Sequence, residues 1–329
     1  MKNKYSQFAG SSLQIFVSHE PFALDCGRVL PSLTVAYHTY GTRRADNVRW
    51  VCHALTASSD VADWWPGTVC RNGLLDPERY FTVCANMLGS CYGSSSPLTE
   101  PDFPMITFGD IARAHQLLAK HLEIDKIDLL IGGSTGGSQV FEWAYLEPTR
   151  FSRLVLLATL PRTTAWIQAS SAAQRMAIQA SGFSHSGLAA ARATAMLQYR
   201  GSKAYNLTQS DLGEKLTDYK VDSYQRYQGQ KLASRFDVQC YLHLLATLDS
   251  FDVGRARGGV AAALSAITTP ATVIAVSSDI MYPPQDIRDM AALLPHGEFH
   301  LINSDFGHDG FLVETDQITQ LVRTNTKSK

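Results

Sequence analysis

The stretch Ile131–Gln139, IGGSTGGSQ, sets one serine, Ser134, among four glycines directly after the apolar run IDLLI (127–131). Three readings compete for it. A phosphate-cradling loop needs GxxxxGK[ST], with a lysine to reach the phosphates. Gly132 to Gly137 supplies the glycine spacing, but Ser138 and Gln139 stand where lysine and Ser/Thr are required. The dinucleotide spacing GxGxxG is absent as well. A plain strand-to-helix turn would also use glycine, for close packing or positive φ. The third reading is a nucleophile elbow: Gly132-Gly133-Ser134-Thr135-Gly136 fits GxSxG, and its required context is strand, sharp turn, helix. IDLLI before it and SQVFEWAYLE (138–147) after it supply that context.

A serine nucleophile needs a base and an acid that orients the base, in chain order Ser, then Asp or Glu, then His. Downstream, ATVIAVSSD (271–279) puts Asp279 at the end of an expected strand, and INSDFGHDGF (302–311) puts His308 just before the last expected helix. Asp252 lies near a helical block, while Asp305 and Asp309 are too close to His308 in sequence to reach its far ring nitrogen easily. His53 follows a strand end but precedes the serine. The predicted triad is therefore Ser134, Asp279 and His308. The helix N-terminus after the serine offers free N–H groups to a developing oxyanion. The second donor is expected from CHALTASSD (52–60), so the backbone amides of Leu55 and Thr135 form the predicted oxyanion hole.

The rest of the chain fits such a site. RWVCHAL (49–55), YFTVCANML (80–88), IDLLI and RLVLLAT (153–159) read as buried strands, and DIARAHQLLAKHL (110–122) carries apolar residues at helical spacing. Strand and helix alternate, which predicts a mostly parallel sheet with helices on both faces. From about Pro161 the pattern turns rich in Ala, Leu, Gln and Met without strands, and sheet character returns at ATVIAVSSD. The expected division is a core of residues 1–160 and 262–329 interrupted by a helical block, 161–261. The last helix is expected from about Gly310 through FLVETDQITQLVRT, before a tail TNTKSK that reads as frayed.

Composition bounds the function. The 329 residues carry a formal net charge of -1, 45% hydrophobic and 18% charged residues. That leaves no electrostatic footprint for nucleic acid or an anionic membrane, and no run approaches the ~20 apolar residues of a bilayer span. The opening MKNKYSQFAG has no apolar core of signal-peptide type. Six cysteines show no CxxC pair and no metal spacing, so they read as small buried hydrophobes in a reducing, cytoplasmic compartment.

VCHALTASSD (51–60), DWW (63–65), DPERYFTVCANMLGSCYGSSSPL (76–98), FPMITFGDIARAHQLL (103–118), GGSTGGSQVFEWA (132–144), AQRMAI (173–178), LQYR (197–200), SSDIMYPPQ (277–285) and FGHDGFL (306–312) follow one another in this order. In these segments the chain resembles the homoserine O-acetyltransferases. The resemblance implies an α/β-hydrolase fold with a helical lid, and a homodimer made through the lid helices. It implies acetyl transfer from acetyl-CoA, as co-substrate, to the hydroxyl of L-homoserine, early in methionine biosynthesis, with no permanently bound cofactor and no metal. Ser134, Asp279 and His308 fall on the family's triad, and Arg200 and Asp309 on residues that help hold the amino acid. A guanidinium can grip a carboxylate and a carboxylate an ammonium. Otherwise Arg200 is a lid salt bridge and Asp309 a helix cap. Rival activities keep the triad and change the partner: L-serine as acceptor, succinyl-CoA as donor, or water, which gives an esterase or thioesterase. A non-catalytic binding protein is disfavoured by the intact Ser, Asp and His. Three positions depart from the family pattern: a short loop, TEPD (99–102), Gly109 where arginine is usual, and Thr135 where methionine is usual. The first two are expected near the site mouth.

Overall fold

Strands buried on both faces account for the middle of the molecule. In the computed structural model, which describes residues 11–324 except Pro101 and Glu214, the strands are β1 (Gln14–Ser18), β2 (Phe22–Ala23), β3 (Val29–Leu30), β4 (Leu33–Tyr40), β5 (Val48–Cys52), β6 (Phe81–Ala85), β7 (Ile127–Gly133), β8 (Phe151–Leu157), β9 (Ala271–Val276) and β10 (Gly297–Ile302). The decapeptide MKNKYSQFAG, Pro101 of the TEPD loop and the tail from residue 325 lie outside the described residues. Eight strands form one sheet in the order β1-β4-β6-β5-β7-β8-β9-β10, and β2 pairs with β3 in a small hairpin. Every joint from β6 to β10 is parallel; β1–β4 and β4–β6 are antiparallel. VRWVC in β5 is buried at every position, Arg49 included, because both faces of the sheet are covered.

The helices are α1 (Val61–Trp64), α2 (Phe108–His121), α3 (Thr135–Leu146), α4 (Ala165–Ala180), α5 (His185–Tyr199), α6 (Ser202–Gln209), α7 (Lys220–Ala233), α8 (Val238–Asp249), α9 (Val260–Ser265), α10 (Pro284–Ala291), α11 (Gly310–Val313) and α12 (Thr315–Thr324). Successive strand residues enter two separate cores, as the period of two requires. Trp50, Leu130 and Leu154 pack with Ile111 of α2, Val140 of α3 and Ile287 of α10. Val51, Leu129, Ile131 and Val155 pack with Ile318 and Val322 of α12. Helices thus cover both faces. The start of α2 is fixed by a capping box, Thr107 with Asp110.

Between β8 and β9 the chain leaves the sheet layer for the helices α4 to α8. Its outgoing and returning strands run side by side: Thr163 N–H donates to Phe251 O at 3.0 Å and Val253 N–H to Pro161 O at 2.9 Å. Asp252 belongs to this neck, bridging Arg162. The expected single last helix is two. Glu314 breaks it, with φ -87° and ψ 45°, and its carbonyl accepts the Ile318 amide at 3.1 Å to start α12. The break lets Phe311 and Leu312 reach the serine's cavity while Ile318 and Val322 face the sheet. Among the described residues no helix is long and apolar enough to cross a membrane.

Candidate active site

β7 delivers the chain to Ser134 at φ 56°, ψ -126°, and α3 begins at the next residue. Such a backbone costs about 1–3 kcal/mol for a non-glycine residue and persists only where the surroundings fix it. The Ser134 amide donates to Leu157 O at 3.0 Å. The flanking glycines allow contacts that no side chain would: a Cβ on Gly133 would lie 2.7 Å from the Phe311 ring, and one on Gly136 2.1 Å from the Cys52 carbonyl oxygen. Their role is thus close packing of α3 against the end of β5 and against the loop that carries the histidine.

Asp279 follows β9 and His308 follows β10, so the three groups converge at the carboxyl ends of neighbouring parallel strands, where open α/β sheets bind ligands. His308 Nδ1 lies 2.7 Å from Asp279 Oδ2. A carboxylate only accepts, so Nδ1 carries the proton and Nε2 keeps a free lone pair. The other oxygen, Oδ1, accepts the amides of Met281 and Tyr282 at 2.8 and 3.0 Å, which locks the carboxylate. Asp279 and His308 are buried. His308 Nε2 has no hydrogen-bond partner among the described residues. The phenol of Tyr282 lies close by, its ring centroid 5.2 Å from that of His308. Catalytic serine–histidine bonds are often open in ligand-free sites and tighten with substrate. Asp305 is engaged elsewhere, with Lys203 at 2.8 Å.

Ser134, His308, Leu55 and Asp309 line one cavity of about 130 Å³. Thr135 is the first residue of α3, so its amide belongs to the first turn, which has no intrahelical acceptor. Gln139 ties the two oxyanion segments together: its amide nitrogen donates to His53 O at 3.0 Å and Thr135 O at 3.3 Å. His53 itself is a brace. Its Nε2 accepts the Met87 amide at 3.0 Å, and burial lowers its pKa to about 4. It is neutral and has no role as a base.

The structure also supplies residues that the sequence did not single out. Trp64 lines the cavity and stacks on Trp65, whose indole N–H holds Phe311 O at 3.1 Å. From the lid come Tyr199, Arg192 and Arg235. Arg235 Nη1 donates to Thr56 O at 2.7 Å and to the Tyr92 hydroxyl. Burial pushes the Tyr199 and Tyr282 phenols up, so both stay protonated donors. Only the position of α5 across the cavity reveals Arg192 and Tyr199; they lie seven residues apart, on one helix face.

Asp309 lines the cavity and makes no side-chain cap. Arg200 forms an ion pair, and its partner is Asp309, Nε to Oδ2 at 3.2 Å. Arg200 is not among the cavity-lining residues. Gly109 stands in the first turn of α2 beside Asp25 and Glu142 and is not among the residues that line this cavity. The six cysteines are unpaired; Cys52, Cys84 and Cys240 are buried, whereas Cys26 is exposed.

Comparison with known proteins places the chain. Residues 51–315 match the family model described as alpha/beta hydrolase fold. The homoserine O-acetyltransferase of Chlorobaculum parvum is 37% identical, covering 97% of this chain and 96% of that protein. That of Chlorobaculum tepidum is 38% identical over 94% and 93%. The crystal structure of the Staphylococcus aureus homoserine O-acetyltransferase superposes with a TM-score of 0.83 at 30% identity, covering 94% of this chain and 95% of that one. Esterase E22 superposes with a TM-score of 0.84 at 19% identity, over 95% and 99%, which shows a shared fold and no more. The chain belongs to the homoserine O-acetyltransferase family, within the α/β-hydrolase fold.

Proposed function

We propose that the chain transfers an acetyl group from acetyl-CoA to the hydroxyl of L-homoserine, a step of methionine biosynthesis, by a ping-pong mechanism through an acetyl-serine. Ser134 Oγ attacks the thioester carbonyl while its proton passes to His308 Nε2. The amides of Leu55 and Thr135 hold the oxyanion. The C–S bond then breaks, and the thiolate leaves with the proton from His308. Homoserine enters, His308 takes its hydroxyl proton, and the hydroxyl oxygen attacks the acetyl group. The bond to Ser134 breaks, and the proton returns to Oγ. Asp279 fixes the imidazole tautomer and stabilises its charged form. Asp309, beside His308, receives the substrate ammonium.

One observation carries this reading over hydrolysis. The cavity that exposes Ser134 and His308 also presents the carboxylate of Asp309 and the guanidinium groups of Arg192 and Arg235. A neutral ester and water need none of these charges, whereas a zwitterionic acceptor uses both signs. The lid walls would keep bulk water from the acetyl-enzyme.

Product identification with acetyl-CoA or succinyl-CoA against L-homoserine or L-serine tests the assignment. O-acetylhomoserine is the expected product. Acetyl-CoA turnover equally fast without any amino acid would make the protein a thioesterase. The reading extends to a cytoplasmic location, favoured by six unpaired thiols. It also extends to a homodimer through the lid, favoured by the exposed Met176, Leu197 and Leu207 on its helices. Sedimentation at micromolar concentration checks the dimer.

A further inference from the structure

The residues that line the Ser134 cavity fall into two groups. One gathers at the histidine: Asp309 follows His308 in the chain, and the Tyr199 ring lies 6.0 Å from the His308 ring. The other gathers at the oxyanion turn. Ala54 and Ala57 close that turn around Leu55 and Thr56, with Ala57 N–H donating to Ala54 O at 3.0 Å. Trp64 stands against it, its indole N–H donating to Ser58 O at 2.8 Å. The one charged lining residue at this turn is Arg235, whose Nη1 is committed to Thr56 O and the Tyr92 hydroxyl. Trp64 is fixed a second time by its stack on the buried Trp65, with ring centroids 5.4 Å apart and planes 9° from parallel. Trp65 is anchored in turn, its N–H on Phe311 O at 3.1 Å.

An acyl carbon bonded to Ser134 has four directions. One is Oγ. A second points the oxygen at the Leu55 and Thr135 amides. The third, taken by the leaving thiolate or the incoming hydroxyl, lies beside His308 Nε2, because that nitrogen passes their proton. The fourth is left for the acyl chain. It runs away from the histidine, along the oxyanion turn, toward the Trp64 indole. A flat, doubly fixed, uncharged wall accommodates a methyl group and resists a longer chain, because close-packed surroundings yield little.

We propose that Trp64 sets the length of the acyl group, restricting Ser134 to acetyl and excluding butanoyl and succinyl chains. This deepens the acetyl-transfer reading above and rests on its acyl-serine step.

The test uses p-nitrophenyl acetate, butanoate and hexanoate. Their first-turnover burst of p-nitrophenol reports acylation of Ser134 without CoA or an amino acid. The wild type should lose about tenfold or more for each added methylene. Trp64→Ala should raise the butanoate-to-acetate ratio about 100-fold, while acetate itself falls by less than about tenfold. Trp64→Phe keeps an aromatic ring over Trp65 and makes a smaller wall, so it should raise the ratio about fivefold. With acetyl-CoA as donor, the KM of Trp64→Ala for L-homoserine should stay within about threefold of the wild type, because the acceptor is held at the other group of residues. An equal fall for all three esters makes Trp64 an anchor of the oxyanion turn alone, and an unchanged ratio puts the wall elsewhere. Either result overturns the proposal. So does wild-type turnover of succinyl-CoA that matches acetyl-CoA. Thermal melting accompanies each variant, and if Trp64→Ala does not fold, the ratio in Trp64→Phe decides. A wild type without any acetate burst rejects the acyl-serine and the proposal together. A wild type that gives the burst but forms no O-acetylhomoserine rejects the acceptor reading, an outcome distinct from a misplaced wall.

Discussion

The floor and the roof of the cavity are built by different physics. The floor, from the end of β5 through the elbow to α3, is held by backbone approach: glycines at van der Waals contact with carbonyls and rings, Ser134 N–H on Leu157 O, and Gln139 across two segments. The roof, α4 to α8, approaches these loops by backbone at one place, Arg200–Gly201 against Gly307, and otherwise through single side chains. Arg235 holds the oxyanion loop at Thr56, Trp166 holds Ile280 O beside Asp279 at 3.0 Å, and Arg200 holds Asp309 beside His308. Close backbone packing sets positions that cannot drift. Single side-chain contacts can be exchanged at modest cost. The floor therefore fixes the chemistry, and the roof carries the choice of partner.

The largest break in this contrast comes from the floor's own chemistry. Ser134→Ala should cut acetyl transfer by roughly 10⁴-fold or more, and Asp279→Asn, which leaves the geometry but misorients the histidine proton, by about 10⁴. Steady-state CoA release checks both. Next comes the floor's packing. Gly136→Ala puts a Cβ 2.1 Å from the Cys52 carbonyl oxygen and should cost about 3 kcal/mol or more. In the roof, a Cβ on Gly201 meets nothing closer than 3.7 Å, and Gly201→Ala should cost about 1 kcal/mol or less at its helix N-cap. Urea denaturation of the pair compares the two regions directly; equal losses would erase the distinction.

This difference also governs what the sequence disclosed. The floor is encoded locally: five residues of GxSxG between an apolar run and a helix, then an aspartate and a histidine at later strand ends. Motif, chain order and placement at strand ends were enough to nominate Ser134, Asp279 and His308, and the geometry brings Asp279 and His308 into contact at 2.7 Å. The roof is encoded non-locally. Nothing within AAARATAMLQYRG (189–201) says which helix face will meet Ser134, so Arg200 stood out by its motif while Arg192, the arginine that lines the cavity, did not. The break at Glu314 was hidden because FLVETDQITQLVRT keeps helical spacing on both sides of it. The short α6, α9 and α10 were missed for want of a long periodic signal. Trp64 and Trp65 gained their roles only from a contact across 246 residues of chain, Trp65 to Phe311.

Acid should act on floor and roof alike, and less abruptly than Gly136→Ala. Burial lowers the pKa of His53 to about 4, of His115 to about 3 and of His243 to about 4. Below the ordinary value of 6.5 the unfolded chain takes up protons that these folded histidines refuse. Stability is therefore complete above pH 6.5 and falls as pH drops toward 4. Each histidine contributes roughly a tenfold change in the folding constant per pH unit. His115 packs against both Trp50 and Trp143, and among the described residues neither of its ring nitrogens has a hydrogen-bond partner. His115→Phe should flatten the slope and make the protein more stable than wild type at pH 5. Urea midpoints at pH 7 and 5 measure this, and an unchanged slope would place the titration elsewhere.

The smallest expected effect sharpens the comparison most. Trp166 is half exposed, and its indole N–H donates to Ile280 O, four residues before Pro284 begins α10. Trp166→Phe keeps most of the ring and removes that one bond, so stability should fall by about 1 kcal/mol or less. Asp279 does not depend on the bond. Its carboxylate is held by the Met281 and Tyr282 amides within its own loop, and kcat should stay within about threefold. What should change is local. Amides of 280–282 and of the first turn of α4 should exchange faster with solvent, while those of β7 and α3 stay as protected as before. If kcat falls tenfold with melting unchanged, the roof is setting the acid's position and the division between floor and roof is wrong. If exchange rises in the lid segments alone, the lid is a cover held by separable contacts, and acceptor choice can be altered there without disturbing the nucleophile.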